Sequence, residues 1–126
     1  MTLRTPLGKV LGLGSARDGT DHWWGQRISA VGLAILGLWF AGSLWGLEAH
    51  NYEAVTAFIA APLNGVFLVL LTLTVAYHSH LGVQVVIEDY VHASAAKVIS
   101  LILSRFLHVF IAVLSVYAIL RIGFGA

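Results

Sequence analysis

The sequence predicts an all-α membrane protein with three transmembrane helices. Of its 126 residues, 59% are hydrophobic and only 10% are charged, and the mean hydropathy is +0.88. A water-soluble domain of this composition would lack the polar residues to cover its surface. A helix needs about 20 apolar residues to cross the hydrocarbon core, and the chain has three such runs with short connections. It is therefore interpreted as a single membrane domain, residues 1–126, with no large soluble part.

The first span is predicted at residues 28–47, which contain no Asp, Glu, Lys or Arg. Trp23 and Trp24 precede it, and amphipathic rings of this kind favour the headgroup region. Residues 1–26 are polar and rich in glycine, and they lack the apolar core and cleavage site of a secretory signal. We expect them to remain on the chain as a cytoplasmic amino-terminal segment.

The second and third spans are predicted at residues 62–87 and 98–122. Pro62 suits the first turn of a helix, because the missing N–H has no partner there. The stretch at residues 54–61 is expected at the membrane interface. Arg105 interrupts the third span with a charge.

The distribution of Lys and Arg predicts the orientation. The first link has none, whereas Lys97 lies in the link at residues 88–97. Four cations precede the first span: Arg4, Lys9, Arg17 and Arg27. The positive-inside rule places the amino terminus and the 88–97 link in the cytoplasm or the mitochondrial matrix. The carboxyl terminus then lies on the opposite side, which is periplasmic in a bacterium.

His78 is the main candidate for a functional residue. No Asp, Glu, Lys or Arg occurs from residue 54 to residue 87, and a polar side chain inside the bilayer is costly unless something binds it. Gly82, Val85 and Asp89 lie within about 40° of His78 on a helix and form one stripe with it. Gly82 either leaves room for a flat macrocycle or lets two helices touch. The imidazole could be a haem ligand, a proton relay or an interhelical hydrogen-bonding group.

Two more histidines leave alternatives open. The chain has no cysteine, so any metal must be held by His or carboxylates. His108 is expected at about the depth of His78, so one haem between these two residues is geometrically possible. Arg105 is close to His108 on the same face and indicates a propionate, a lipid phosphate, a partner subunit or simple snorkelling. His80 lies about 200° from His78 around the helix and is interpreted as a packing or hydrogen-bonding residue.

Three residues are expected at the cytoplasmic membrane face. Asp89 and Tyr90 could offer a carboxylate and a hydroxyl donor to a quinone carbonyl, or they could be a solvated helix end and an interface anchor. Arg27 could bind carboxylates or phosphates in a bidentate manner. Topology alone would explain Arg27 equally well.

The segment at residues 78–91 resembles a signature of the D-type hydrophobic anchor subunit of succinate dehydrogenase, respiratory complex II. That signature is His-x3-Gly-x6-Asp-Tyr in a second transmembrane helix, and all four positions match. The tract that begins at Arg27, Arg-Ile-Ser-Ala, resembles the Arg-x-[Ser/Thr]-Ala opening of the first helix. The resemblance covers nearly the whole chain. The tract at residues 18–24, Asp-Gly-Thr-Asp-His-Trp-Trp, looks like the alphaproteobacterial branch.

The resemblance implies a subunit without catalysis of its own in a bacterial inner membrane. With a second three-helix anchor subunit of the cytochrome b556 type, it would form a haem-bearing bundle that holds the flavoprotein and iron–sulfur subunits. A haem b would be shared by the two anchors, ubiquinone would be the substrate, and FAD and iron–sulfur clusters would belong only to the partner subunits. The lipid bilayer is the other partner, and no nucleic acid is expected.

Residue roles follow from the resemblance position by position. His78 would be one axial haem ligand, with the other imidazole from the partner chain. Tyr90 would hydrogen-bond the quinone carbonyl, with Asp89 in support. Arg27 would lie near the haem propionates or the quinone pocket, and His22 is a further propionate candidate. The polar Ser-His pair after His78, where relatives often have bulky residues, would make the haem edge more polar.

Three alternative functions belong to different classes. A fumarate reductase anchor would have the same architecture with the reaction run in reverse. A stand-alone membrane cytochrome b would carry His78 and His108 on one iron. A packing or assembly subunit without a redox role would hold no haem.

Overall fold

The structure is a computed structural model that describes Leu7 and residues 18–125. This part of the chain is nearly all helical and contains α1 (Asp18–Trp45), α2 (Tyr52–Ala60), α3 (Pro62–Tyr90) and α4 (Ser94–Gly123). The predicted all-α class is confirmed. Most of the predicted amino-terminal segment, including its three cations Arg4, Lys9 and Arg17, lies outside the described residues.

Three of the four helices are long and apolar enough to cross a membrane. The candidate spans are Thr20–Trp45, Pro62–Tyr90 and Ser94–Gly123, with 26, 29 and 30 residues. At a rise of 1.5 Å per residue they measure about 39–45 Å, which exceeds a hydrocarbon core of about 30 Å. All three helices are longer than the predicted spans because polar end turns stay helical, although α1 ends at Trp45, two residues before the predicted end of the first span. The chain is therefore a multi-pass membrane protein, while the membrane limits of each span remain predictions.

The stretch expected at the interface forms the short helix α2. Its first turn is capped by Asn51, whose side chain accepts a hydrogen bond from the Ala54 N–H at 2.9 Å. The helix stops at Ala61, which has an extended conformation with ψ of 126°, as expected for a residue before proline. Pro62 then opens α3. One residue thus separates the two helices.

Helix α3 is the central element. It packs against α1 on one side and α4 on the other, and within the described residues no backbone contact joins α1 to α4. Only Leu81 and Ala112 are buried hydrophobic residues in this part of the chain. Large apolar side chains such as Phe106, which is 70% exposed, face outward along the helices. These surfaces suit lipid or a membrane partner better than water.

Two packing contacts illustrate how α1 lies against α3. Gly25 permits the first, because a Cβ there would lie 2.6 Å from the Tyr77 hydroxyl oxygen and 3.3 Å from Leu81 Cδ1. The second is farther along α1, where the Trp39 ring meets Phe67 of α3 edge to face, with centroids 5.0 Å apart. The two helices therefore approach closely at the end where the polar residues lie.

The turn between α3 and α4 is tied by a side chain. Lys97 Nζ donates a hydrogen bond to the Glu88 carbonyl oxygen at 2.8 Å, and a cation at a helix carboxyl terminus is favourable. This bond joins the start of α4 to the last turn of α3. Asp89 and Tyr90 are consequently held at the end of the helix pair.

Candidate functional site

A cleft of about 600 Å³ lies between α1 and α3. On each of the two helices, the residues that line the cleft recur at the spacing of a single helix face. The lining residues are His22, Trp23, Gln26, Arg27 and Ala30 from α1, and His78, Gly82 and Val85 from α3. The cleft brings together His78, Arg27 and His22, which the sequence singled out from two distant segments. Three members of the predicted stripe on α3 line it, and the fourth, Asp89, does not.

His78 is held from α1 by a serine that sequence reasoning did not assign. The Nδ1 atom of His78 lies 3.0 Å from Ser29 Oγ. Ser29 is only 7% exposed, and its hydroxyl also donates to the Gly25 carbonyl oxygen at 2.7 Å. The one signal in the sequence was the position of Ser29 within the Arg-Ile-Ser-Ala tract.

Arg27 and His22 bring positive or protonatable groups to the cleft. The Arg27 guanidinium lies 5.4 Å from the centre of the Trp23 ring, one turn earlier on α1, in a cation–π contact. Two buried polar atoms of cleft residues, His22 Nε2 and Gln26 Oε1, have no hydrogen-bond partner within the described part of the chain. Buried polar groups are normally paired. These atoms indicate that the cleft accommodates a group with polar substituents.

Gly82 opens the floor of the cleft. A Cβ at this position would meet only Gln26 Nε2, at 3.9 Å, within the described residues. Close helix packing therefore gives no reason for a glycine here. Packing within this chain does not account for Gly82, so space for a bound group and contact with a helix of another chain both stay predictions.

His80 and His108 form a separate pair on another side of α3. Their ring centroids are 5.5 Å apart, and His108 Nδ1 donates to the Ser104 carbonyl oxygen at 2.7 Å. Both line a groove of about 330 Å³ with Tyr77 and Arg105, and neither lines the cleft of His78. The structure therefore does not support one iron bound by both His78 and His108, which is the arrangement that the stand-alone membrane cytochrome b would need.

No protein-only metal centre is found where the structure describes the chain, because no three His, Cys, Asp or Glu side chains cluster there. A ligand set of one imidazole from this chain fits the cleft better than a multi-residue site. An axial position on a porphyrin needs only one protein nitrogen, whereas zinc sites usually need at least three protein ligands. One imidazole of this chain would therefore suffice as its protein donor to a porphyrin iron.

Asp89 and Tyr90 lie away from the cleft. Tyr90 is the last residue of α3 and is 79% exposed, and Asp89 is exposed beside it. The rise along the helix from His78 to Tyr90 is about 18 Å. The structure thus separates the two predicted sites along α3, with the imidazole within the span and the acid–phenol pair at its end.

A membrane subunit with three spanning helices and a polar cleft within them is the class that the fold and the site define. Residues 1–120 match the model of the succinate dehydrogenase/fumarate reductase transmembrane subunit, and the chain belongs to that family. The matched residues include all three long helices except the last residues of α4.

Curated relatives narrow the similarity to hydrophobic membrane anchor subunits of succinate dehydrogenase. The protein of that name from Paracoccus denitrificans is 30% identical over 122 residues, 97% of this chain and 94% of the relative. The one from Rickettsia bellii is 32% identical over 94 residues, 75% of each chain. A succinate dehydrogenase membrane anchor subunit from Reclinomonas americana is 31% identical over 101 residues, 77% of this chain and 83% of the relative. The predicted resemblance is confirmed, and most of these relatives are alphaproteobacterial.

Proposed function

We propose that the chain anchors a succinate:ubiquinone oxidoreductase in the bacterial inner membrane and contributes to its haem and quinone sites. A second anchor subunit would pack beside it, and the iron–sulfur and flavoprotein subunits would dock on the cytoplasmic face. Family membership supports this proposal, and so does the long exposed apolar surface on either side of α3. The names of the relatives favour succinate oxidation over the fumarate reductase alternative.

The observation that carries the haem part of the proposal is the cleft shared by His78, Arg27 and His22. His78 would supply one axial nitrogen to a b-type haem, and the partner anchor would supply the other. Arg27 and His22 would hold the propionates, because a guanidinium pairs well with carboxylates and His22 has a buried nitrogen without a partner. The haem, when bound, supplies a one-electron carrier within the span.

The quinone part of the proposal rests on the exposed end of α3. Ubiquinone becomes ubiquinol by gaining two electrons and two protons, so its site must be near both an electron donor and a proton source. Tyr90 would donate a hydrogen bond to a quinone carbonyl, and Asp89 would hold a proton or orient the phenol. Electrons would come from a cluster in the docked iron–sulfur subunit. The helix end that carries Asp89 and Tyr90 would thus form both a docking surface and part of the pocket.

The decisive test replaces the proposed ligand in the intact complex. His78→Ala should abolish the low-spin haem optical spectrum of the purified complex, because Ala has no nitrogen to coordinate iron. His80→Ala is the matched control, since it removes an imidazole from the same helix on the side facing α4. It should retain the spectrum.

Subunit content and succinate oxidation by a soluble dye report whether each variant assembles. If His78→Ala keeps the wild-type haem spectrum, the assignment of His78 as a haem ligand is wrong, whether or not His80→Ala keeps it.

A further inference from the structure

Ser29 has an environment that differs from that of every other described polar residue. It is the one buried polar side chain in the part of the chain that the structure covers. Its hydroxyl oxygen lies within hydrogen-bond distance of three atoms: the Gly25 carbonyl oxygen at 2.7 Å, the Gln26 carbonyl oxygen at 3.1 Å and His78 Nδ1 at 3.0 Å. Two of these atoms belong to the backbone of α1, and the third belongs to a side chain of α3.

A count of protons assigns the direction of each bond. Carbonyl oxygens can only accept, and a serine hydroxyl has one proton to donate. That proton goes to the backbone of α1, with the shorter bond to Gly25. The lone pairs of Oγ then face His78 Nδ1. An unprotonated Nδ1 would place two lone pairs against each other in a buried site, whereas a protonated Nδ1 donates to Oγ and satisfies both groups.

We infer that Ser29 is a positioning residue, which holds His78 as the Nδ1–H tautomer and leaves the lone pair on Nε2 for iron in the cleft. This inference rests on the proposed haem role of His78. A ligating histidine commonly donates its other ring N–H to an oxygen, which fixes its tautomer and orientation. Here the oxygen is a hydroxyl that the preceding turn of α1 holds in place.

The bond links the electronic state of the ligand to the packing of two helices. A hydrogen bond from Nδ1–H raises the electron donation of Nε2, which favours ferric over ferrous iron and lowers the midpoint potential. Without the acceptor, the ring can rotate, or it can adopt the other tautomer. The potential should then rise, and the axial geometry should become heterogeneous.

The test compares Ser29→Ala with Ser29→Thr in the full complex. Thr keeps a hydroxyl that can bond both to the preceding turn and to His78, while Ala keeps neither bond. Ser43→Ala is the matched control, because it makes the same change on α1 far from His78. The readouts are the haem midpoint potential from a redox titration and the low-spin ferric signal in electron paramagnetic resonance, both normalised to haem content.

We expect Ser29→Ala to raise the potential and broaden or shift the ferric signal, and we expect Ser29→Thr and Ser43→Ala to match the wild type. If Ser29→Ala loses its haem, retention by Ser29→Thr supports the inference, and loss in both variants overturns it. A wild-type potential and signal in Ser29→Ala also overturn it. A His78→Ala complex measured in parallel separates the two proposals. Its unchanged haem spectrum defeats the ligand assignment and the present inference together, whereas its loss of haem beside an unaffected Ser29→Ala defeats only the inference.

Discussion

Two histidines that are two positions apart on α3 meet different neighbours. His78 bonds to Ser29 of α1 and lines the cleft, whereas His80 lies beside His108 of α4, with the two ring planes tilted by 58°. The helical period separates them by about 200°, so they cannot share one face. The free-energy cost of placing each imidazole in the apolar span is therefore offset by a different set of neighbours, in two separate sites. Both sites combine an imidazole with a cation and at least one unpartnered buried polar atom. Within the described residues, only the first joins its imidazole to another helix by a side-chain hydrogen bond.

Tyr90→Phe tests the quinone role of the phenol. The variant should lower succinate:ubiquinone reductase activity by about tenfold, the effect of losing one hydrogen bond of about 1.4 kcal/mol. Succinate oxidation by a soluble dye should persist, because dye reduction does not need the quinone pocket. The measurement is the ratio of the two activities in isolated membranes.

Tyr117→Phe provides the control for Tyr90→Phe. Tyr117 is also exposed, at 60%, but it lies near the carboxyl end of α4, far from the link that joins α3 to α4. Its variant should keep the wild-type ratio of activities. An equal fall of quinone and dye activity in Tyr90→Phe would contradict a direct contact between the phenol and the quinone and would indicate a defect in assembly.

The limits of sequence reasoning are visible at individual residues. The stripe of His78, Gly82 and Val85 could be predicted because it depends only on the period of one helix. The pairing of Ser29 with His78 could not, because it depends on how α1 packs against α3. The position of His108 relative to the cleft was left open for a similar reason, since equal depth does not fix which side of a helix a residue faces. Arg27 was singled out by its position at the expected cytoplasmic face, His22 only through the family resemblance, and the cleft brings the two together.

The contact between α1 and α3 near His78 depends on a small residue, Gly25. Gly25 faces Tyr77 and Leu81 across the interface, and its carbonyl accepts the Ser29 hydroxyl. Helix association in a bilayer relies on packing and polar contacts, because lipid tails are as apolar as the side chains. The approach at Gly25 therefore sets the position of the Ser29 hydroxyl and also the width of the cleft.

Gly25→Ala should weaken this contact. The added Cβ would stand 2.6 Å from the Tyr77 hydroxyl oxygen, and overpacking of this kind costs about 1–3 kcal/mol. The helix propensity gained from Ala, about 1 kcal/mol, offsets only part of that cost. We expect a lower thermal transition of the purified complex and a reduced haem content.

Gly37→Ala is the control for Gly25→Ala. Nothing within the described residues lies within 4 Å of a Cβ at Gly37, so this variant has the same gain in propensity without the clash. Its thermal transition should equal or exceed that of the wild type. A Gly25→Ala complex as stable as the Gly37→Ala complex would show that α1 and α3 can separate at this point without cost.

Helix boundaries illustrate what hydropathy measures. The predicted spans are shorter than the helices because hydropathy detects the apolar interior, whereas backbone hydrogen bonding continues into the polar end turns. Pro62 was correctly placed at the first turn of α3 by its fixed φ. The stretch before it was predicted only as interfacial, and it forms the separate helix α2 since Asn51 caps its first turn.

The three long helices leave α3 open on two faces. Because no backbone contact joins α1 to α4 within the described residues, the three long helices form a row with α3 in the middle. Each face of that row presents apolar side chains beside a polar site. The cleft of His78 opens between α1 and α3, and the groove of His80 and His108 opens between α3 and α4. Such a row of helices is stabilised by the lipid or partner subunits that cover its exposed faces, which agrees with a subunit that works inside a larger membrane complex.

The orientation of the whole molecule is the last feature that the proposal needs, because the end of α3 must face the docked dehydrogenase. The chain has no cysteine, so a single introduced cysteine is the one thiol through which this chain can be labelled. His92→Cys lies in the exposed link between α3 and α4, and Glu48→Cys lies in the exposed link between α1 and α2. A membrane-impermeant maleimide should label Glu48→Cys in intact spheroplasts. It should label His92→Cys only after the cytoplasmic face has been opened. Labelling in detergent with the soluble subunits removed checks that both thiols react. Labelling of His92→Cys in intact spheroplasts, with Glu48→Cys protected, would reverse the orientation. It would place Asp89 and Tyr90 on the periplasmic side, out of reach of electrons from a cytoplasmic iron–sulfur subunit, and would refute the proposed quinone site.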